Sequence, residues 1–168
     1  MESYMNRISN TGIVPVVKIL EKEDAYPLAK ALLNGGIDVI EVTYRSEHAT
    51  SAIQTISEQL PDMLVGAGTV LSVEQAKEAV EAGAKFIITP GFNTKVVQWC
   101  LDHDVEVYPG VSTASEVEMA LSMGLTQLKF FPAESSGGAK KLKDLSAPYA
   151  NVHFMPTGGI NTKNMHDY

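Results

Sequence analysis

Two charged side chains fall in stretches of chain whose neighbours belong in a core. The run Leu128-Lys129-Phe130-Phe131-Pro132 places a lysine among large apolar residues near the end of a β-rich segment. In Val39-Ile40-Glu41-Val42-Thr43 the alternation of a strand puts Val39, Glu41 and Thr43 on one face, so that a carboxylate is directed into apolar surroundings. Burying a charge without a partner is expensive, and each residue therefore asks for an explanation. Glu41 could swing to solvent at the strand end or pair with Arg45, and Lys129 could lay its stem on apolar surface with its amine in water. Taken together the two suggest chemistry. A lysine attacks a ketone only as the neutral amine, and desolvation beside a cation such as Arg45 favours that form. Glu41 could then carry protons through carbinolamine formation, C–C cleavage and enamine protonation, with no metal required.

A third segment, Thr157-Gly158-Gly159-Ile160-Asn161, follows a β-rich run. Glycines let backbone N–H groups approach an anion closely, and at the start of a helix this makes a phosphate site; a plain strand-to-helix turn is the alternative. Ser135-Ser136-Gly137-Gly138 could be a second substrate loop, although such loops are common. Gly66-Ala67-Gly68-Thr69 superficially suggests a dinucleotide fingerprint, but Leu71 stands where the third glycine is required, which argues against a nicotinamide or flavin. His48, His103, His153 and His166 are far apart and lack the spacing of metal ligands, so no metal is expected. Cys100, the one cysteine, lies in Val96-Val97-Gln98-Trp99-Cys100-Leu101, which reads as the buried face of a helix rather than a reactive thiol site.

The elements that must hold these residues recur regularly. Seven β-rich runs, Ile13–Lys18, Ile37–Thr43, Met63–Gly66, Lys85–Thr89, Val105–Tyr108, Thr126–Phe131 and Val152–Pro156, begin 24, 26, 22, 20, 21 and 26 residues apart. Between them the apolar spacing is helical, as at Ala25, Leu28, Ala29, Leu32 and Leu33, or at Ala76, Ala79, Val80 and Ala82. This is the signature of βα repeats and a parallel sheet. Ser72-x-x-Gln75 and Thr113-x-x-Glu116 read as capping boxes, while Gly35-Gly36, Gly83 and Gly124 sit where helices should stop. The predicted fold is α/β, a TIM-type (β/α)8 barrel over residues 1–168 as a single domain. Eight strands close such a barrel and seven are read, so the eighth βα unit is expected to be missing and the domain C-terminally incomplete. Asn161 is the predicted N-cap of the helix after the seventh strand.

Composition narrows the function further. With 45% hydrophobic and 20% charged residues the 168-residue chain reads as an ordinary globular domain. No apolar stretch approaches the ~20 residues of a membrane span, and no export signal is evident, so a cytoplasmic, membrane-free protein is expected. The net charge of -7 opposes binding to nucleic acid or anionic membranes, and Lys140, Lys141 and Lys143 read as a solvated helix face. An anionic substrate must then be held locally, in a small enclosed site.

Six blocks taken in order, Val39 to Arg45, Val65 to Val70, Pro90-Gly91, Tyr108 to Thr113, Lys129 to Glu134 and Pro156 to Ile160, resemble the family of aldolases acting on 2-keto-3-deoxy-6-phosphogluconate (KDPG) and 2-keto-4-hydroxyglutarate (KHG). The resemblance implies a class I aldolase. It would cleave KDPG to pyruvate and glyceraldehyde 3-phosphate, or KHG to pyruvate and glyoxylate. It further implies that Lys129 forms the imine and that Glu41 is the general acid and base. Arg45 and Thr69 would hold the pyruvate-derived carboxylate, Pro90 and Phe131 would shape the pocket, and Thr157, Gly158 and Gly159 would line the phosphate end. No cofactor, no metal and a homotrimer are implied as well. An aldolase remnant that only binds or assembles is the alternative, motivated by the missing eighth unit; another phosphate-binding barrel enzyme, such as an isomerase, would give Lys129 no role.

Overall fold

The structure is a computed structural model and describes residues 4–168. Its chain falls into two compact units, one formed by residues up to Thr89 together with Asn93–Val107, the other by Pro90–Phe92 and Tyr108–Tyr168. The first unit holds, except for Tyr108, a sheet in the order β1 (Val16–Val17), β2 (Val39–Thr43), β3 (Leu64–Gly68), β4 (Phe86–Ile88) and β5 (Glu106–Tyr108). The second holds β6 (Gly110–Val111), β7 (Gln127–Phe130) and β8 (His153–Pro156). The pairs β1–β2, β2–β3, β3–β4, β6–β7 and β7–β8 are parallel. Neighbouring strands follow one another in sequence with a helix between most of them, as the 20-to-26-residue spacing requires. This is the α/β architecture of the TIM-barrel class.

Each of the seven β-rich runs contains a strand, and an eighth short one was not foreseen. The fifth run ends at Tyr108 as read, but extended chain resumes beyond Pro109, which has no N–H to give a sheet, as the short β6. All five residues of β2 and of β3 are buried, on both faces, as in parallel sheets covered by helices. Apolar runs without alternation follow from that double burial.

Helix boundaries obey the punctuation in the sequence. Helix α2 (Ala25–Asn34) buries Ala25 and Ala29 and stops at Gly35, with Gly36 at φ +83°, and α3 (Ala49–Gln59) buries Ala49, Ala52, Ile53 and Ile56. At the start of α4 (Val73–Glu81) the Ser72 hydroxyl accepts from Gln75 N, but the Gln75 side chain accepts from Leu71 N instead of closing the box on Ser72. The box opening α6 (Ala114–Ser122) is complete: Thr113 Oγ1 accepts from Glu116 N while the Glu116 carboxylate accepts from Thr113 N and Ser112 N. Losing such a cap costs about 1 kcal/mol. In α5 (Thr94–Asp102) Cys100 is buried with Val96 and Val97, and burial pushes its thiol up to about 12, so it belongs to the core as expected.

Two features depart from the sequence reading. An N-terminal helix, α1 (Tyr4–Thr11), precedes the first strand, tied down where Arg7 Nε meets Asp38 Oδ2 at 2.7 Å. The Thr11 hydroxyl and the Arg7 guanidinium together hold the Asp38 carboxyl below its usual range. Asn161 does not open an α-helix: its Oδ1 accepts from Lys163 N and a single 3-10 turn, Met165–Asp167, follows. The core of the second unit joins Val111, Val117, Ala120, Leu128 and Val152, with α7 (Gly138–Ser146) lending Leu145 at its edge. Each fully buried Val or Leu contributes about 1.5–3 kcal/mol. Lys140 and Lys143 on α7 are exposed and Lys141 half-buried, as a solvated face demands. No helix among the described residues is long and apolar enough to cross a membrane.

Candidate active site

Among the described residues the buried polar or charged side chains are Glu41, Thr43, Thr89 and Lys129, with Glu41 1% and Lys129 4% exposed. Two of the three bland alternatives therefore fail: Glu41 does not swing to solvent, and the Lys129 amine does not reach it.

In the first unit, Glu41 occupies the middle of β2, opposite Val16 of β1 and Gly66 of β3, and its N–H donates to Pro15 O at 2.9 Å. Room for its carboxylate comes from the neighbouring strand. A Cβ at Gly68 would lie 1.9 Å from Glu41 Oε1, just as one at Gly66 would lie 2.0 Å from the Phe86 ring. These two glycines admit a side chain from each flanking strand, which accounts for the sequence Gly66-Ala67-Gly68 without any nucleotide. Gly68→Ala should therefore force the carboxylate to move and destabilise the fold by about 1–3 kcal/mol, the usual cost of overpacking. Gly91→Ala, where nothing lies within 4 Å of the added carbon, serves as its control. Thermal denaturation of both variants checks this, and an unchanged melting temperature for Gly68→Ala would disprove the crowding.

Two further predicted residues, Arg45 and Thr69, stand just beyond the ends of β2 and β3. Thr69 is half-buried at φ +55°, a left-handed conformation that is uncommon for a β-branched residue and that local structure must enforce. The backbone on either side is pinned, with Tyr44 N donating to Gly68 O at 2.8 Å and Val70 N to Ile88 O at 3.3 Å. Arg45 is exposed, and its Nε donates to Thr43 Oγ1 at 3.0 Å.

The second unit carries the remaining candidates. Lys129 lies in β7 between Gly110 of β6 and Met155 of β8, and its N–H donates to Pro109 O at 2.9 Å. Its Nζ sits 5.4 Å from the centre of the Phe131 ring, within range of a cation–π attraction. Pro90 reaches the same place through a glycine: a Cβ at Gly110, the strand partner of Lys129, would lie 2.2 Å from Pro90 O. Phe131 N donates to Val111 O at 3.1 Å, and the Phe131–Pro132 peptide bond is cis.

The Thr157-Gly158-Gly159 loop packs against Phe131. Gly158 and Gly159 adopt φ +104° and +80°, and a Cβ at Gly158 would be 3.3 Å from the Phe131 ring. Thr157 N donates to Phe130 O at 2.9 Å, while the carbonyls of Thr157 and Gly158 accept from Ala133 N and Glu134 N at 2.8 and 3.0 Å. The Thr157 hydroxyl also donates, to Met155 O at 3.5 Å, so what the loop can offer an anion is the amide N–H of Gly158 and Gly159. Because only a 3-10 turn follows, an α-helix dipole makes no contribution to the loop among the described residues.

Thus one unit gathers Glu41, Arg45 and Thr69, and the other gathers Lys129, Phe131, Pro90, Thr157, Gly158 and Gly159. Sequence reasoning passed over Thr43, Gly68 and Gly110, which hold or make room for these groups. Glycine at strand positions was the available signal for the last two. The chemistry such residues permit is imine formation by a buried lysine together with proton transfer by a buried carboxylate.

Comparison with known proteins agrees. The family described as "KDPG and KHG aldolase" matches residues 4–168. A 2-dehydro-3-deoxy-phosphogluconate aldolase of Treponema pallidum is 46% identical over 168 residues, all of this chain and 80% of that protein. The crystal structure of a KDPG aldolase from Legionella pneumophila, with pyruvate captured at low pH as a covalent carbinolamine intermediate, is 44% identical and superposes with a TM-score of 0.90 over 92% of this chain and 75% of that one. A second, from Zymomonas mobilis ZM4 with 3-phosphoglycerate, is 39% identical with a TM-score of 0.87, over 90% of this chain and 72% of that one. With a buried lysine and glutamate on parallel strands and a match that runs the length of the described residues, the chain belongs to the KDPG and KHG aldolase family, carbon–carbon lyases that work through a lysine Schiff base.

Proposed function

We propose that Lys129 is the residue that forms the Schiff base and that Glu41 moves the protons. The neutral amine of Lys129 adds to the C2 ketone of the substrate to give a carbinolamine. Loss of water, with the proton supplied by Glu41, leaves the iminium. Glu41 as carboxylate then takes the proton from the C4 hydroxyl, the C3–C4 bond breaks, and its electron pair enters the iminium as an enamine while the aldehyde departs. Protonation of the enamine at C3 and addition of water at C2 release pyruvate and restore the amine.

Around this centre, Arg45 and Thr69 hold the carboxylate at C1, Pro90 and Phe131 wall the pocket, and Thr157, Gly158 and Gly159 receive the phosphate. The substrate is a small 2-keto acid: KDPG, and/or KHG, whose cleavage to glyoxylate uses no phosphate grip. The observation that carries this reading is the burial of Lys129 and Glu41, the two charged residues sequestered among the described ones. Positive φ at both loop glycines supports the phosphate end, and the Zymomonas mobilis relative with 3-phosphoglycerate is consistent with it. Intact mass spectrometry after incubation with pyruvate and borohydride tests the assignment: one covalent adduct, mapped to Lys129 by peptide digestion, is expected. Adduct at another lysine, or none on folded protein, would refute it.

By family likeness the protein is proposed to be cytoplasmic, a single barrel domain that assembles as a homotrimer of 18.1 kDa chains. Light scattering should give three times the chain mass, and denaturation one cooperative transition. A monomer, or two separate transitions, would count against it.

A further inference from the structure

We infer that Thr43 is a positioning residue for substrate binding, acting through Arg45; this rests on the reading of Arg45 as the holder of the substrate carboxylate. Thr43 closes β2 and is fully buried, with 0% of its surface exposed. A threonine hydroxyl has one proton to give and lone pairs to receive with. The proton is committed: Thr43 Oγ1 donates to Val17 O in the adjacent strand β1 at 2.7 Å. The oxygen can therefore only accept from Arg45 Nε, which approaches at 3.0 Å. The direction of both bonds is fixed by that inventory.

The consequence concerns which edge of the guanidinium remains. Nε is consumed by Thr43, so the two terminal Nη groups form the edge left to meet a carboxylate. An exposed arginine otherwise has a long, freely rotating stem, and ordering it on binding is paid in conformational entropy. Here a buried hydroxyl, itself anchored to the backbone of another strand, secures the guanidinium at its root before substrate arrives. Thr43 touches no substrate. Its β-branch matters too, since it restricts the hydroxyl to few rotamers.

Steady-state cleavage of KDPG and the pyruvate dependence of borohydride trapping, measured for Thr43→Val, Thr43→Ala, Thr43→Ser, Arg45→Ala and the double variant Thr43→Val/Arg45→Ala, test this. Removing the hydroxyl should raise KM and half-saturating pyruvate about tenfold, the effect of losing one charge-assisted hydrogen bond, with kcat within about twofold. Thr43→Ser, which keeps the hydroxyl, should recover most of that loss. In the Arg45→Ala background Thr43→Val should add nothing, because the arginine it positions is gone. Thr43→Ala carries the same expectation should Thr43→Val fail to fold. An unchanged KM in the hydroxyl-free variants, a serine variant as impaired as they are, or additive effects in the double variant would each overturn the inference. If Arg45→Ala by itself leaves KM unaltered, the Arg45 assignment is what has failed, and Thr43 loses this role with it.

Discussion

Replacing Lys129 by alanine should abolish pyruvate trapping and lower KDPG cleavage on the order of 10⁴-fold or more, because Lys129 is the one buried lysine among the described residues and the imine is the electron sink of the reaction. The expectation depends on where the lysine is. Its strand neighbours Gly110 and Met155, the Phe131 ring 5.4 Å from Nζ and an exposure of 4% define one buried amine. On α7, by contrast, Lys140 and Lys143 are exposed and Lys141 is half-buried. Truncation to alanine also leaves space behind, so Lys129→Met, which fills much of the same volume, should be equally inactive and better folded. Retention of trapping in either variant, with circular dichroism like that of the parent, would place the Schiff base elsewhere and dismantle the mechanism.

Glu41→Gln should separate proton transfer from covalent capture. The amide has nearly the shape of the carboxylate and fits the room left by Gly68, so folding and substrate binding should persist. What it lacks is basicity. A fall in kcat on the order of 10²–10⁴-fold is expected, with KM altered little and the borohydride adduct at Lys129 forming slowly but still forming. Pre-steady-state quenching against single-turnover cleavage measures the two steps separately. Full activity of Glu41→Gln would assign proton transfer to another group, and loss of trapping without loss of structure would tie Glu41 to substrate binding instead.

The βα repeat was legible because strand and helix periods alternate with glycine stops such as Gly83 and Gly124, whose positive φ the structure bears out. Lys129 and Glu41 were legible for a different reason: a charge inside an apolar run contradicts its surroundings, and that conflict survives in the fold as burial. Arg45 enters the sequence reading as a cation near the two, while its substrate role, and Thr69 and Pro90 altogether, come only from the family resemblance. The interruption at Pro109 and the helix Tyr4–Thr11 were missed. A proline at a strand end does not tell whether the strand stops or resumes, and the helix is fastened by Arg7 to Asp38, 31 residues away. Contacts of that range leave no local trace. Thr43 reads in the sequence only as one more residue on the face of Glu41, since the hydrogen bond that fixes its hydroxyl reaches Val17, 26 residues away.

The emptiness beside Glu41 also bears on how such a centre could change over generations. The length of the acid and the absence of a side chain at Gly68 are a single trait written at two positions 27 residues apart. A Cβ at position 68 would meet Glu41 Cγ at 2.5 Å as well as Oε1 at 1.9 Å, so that even a shorter acid would have to turn aside, and neither change is harmless first: one crowds the carboxylate, the other strands it in a void. Lineages that keep the glutamate must therefore keep the glycine, and a drifting descendant would reveal itself by altering both together.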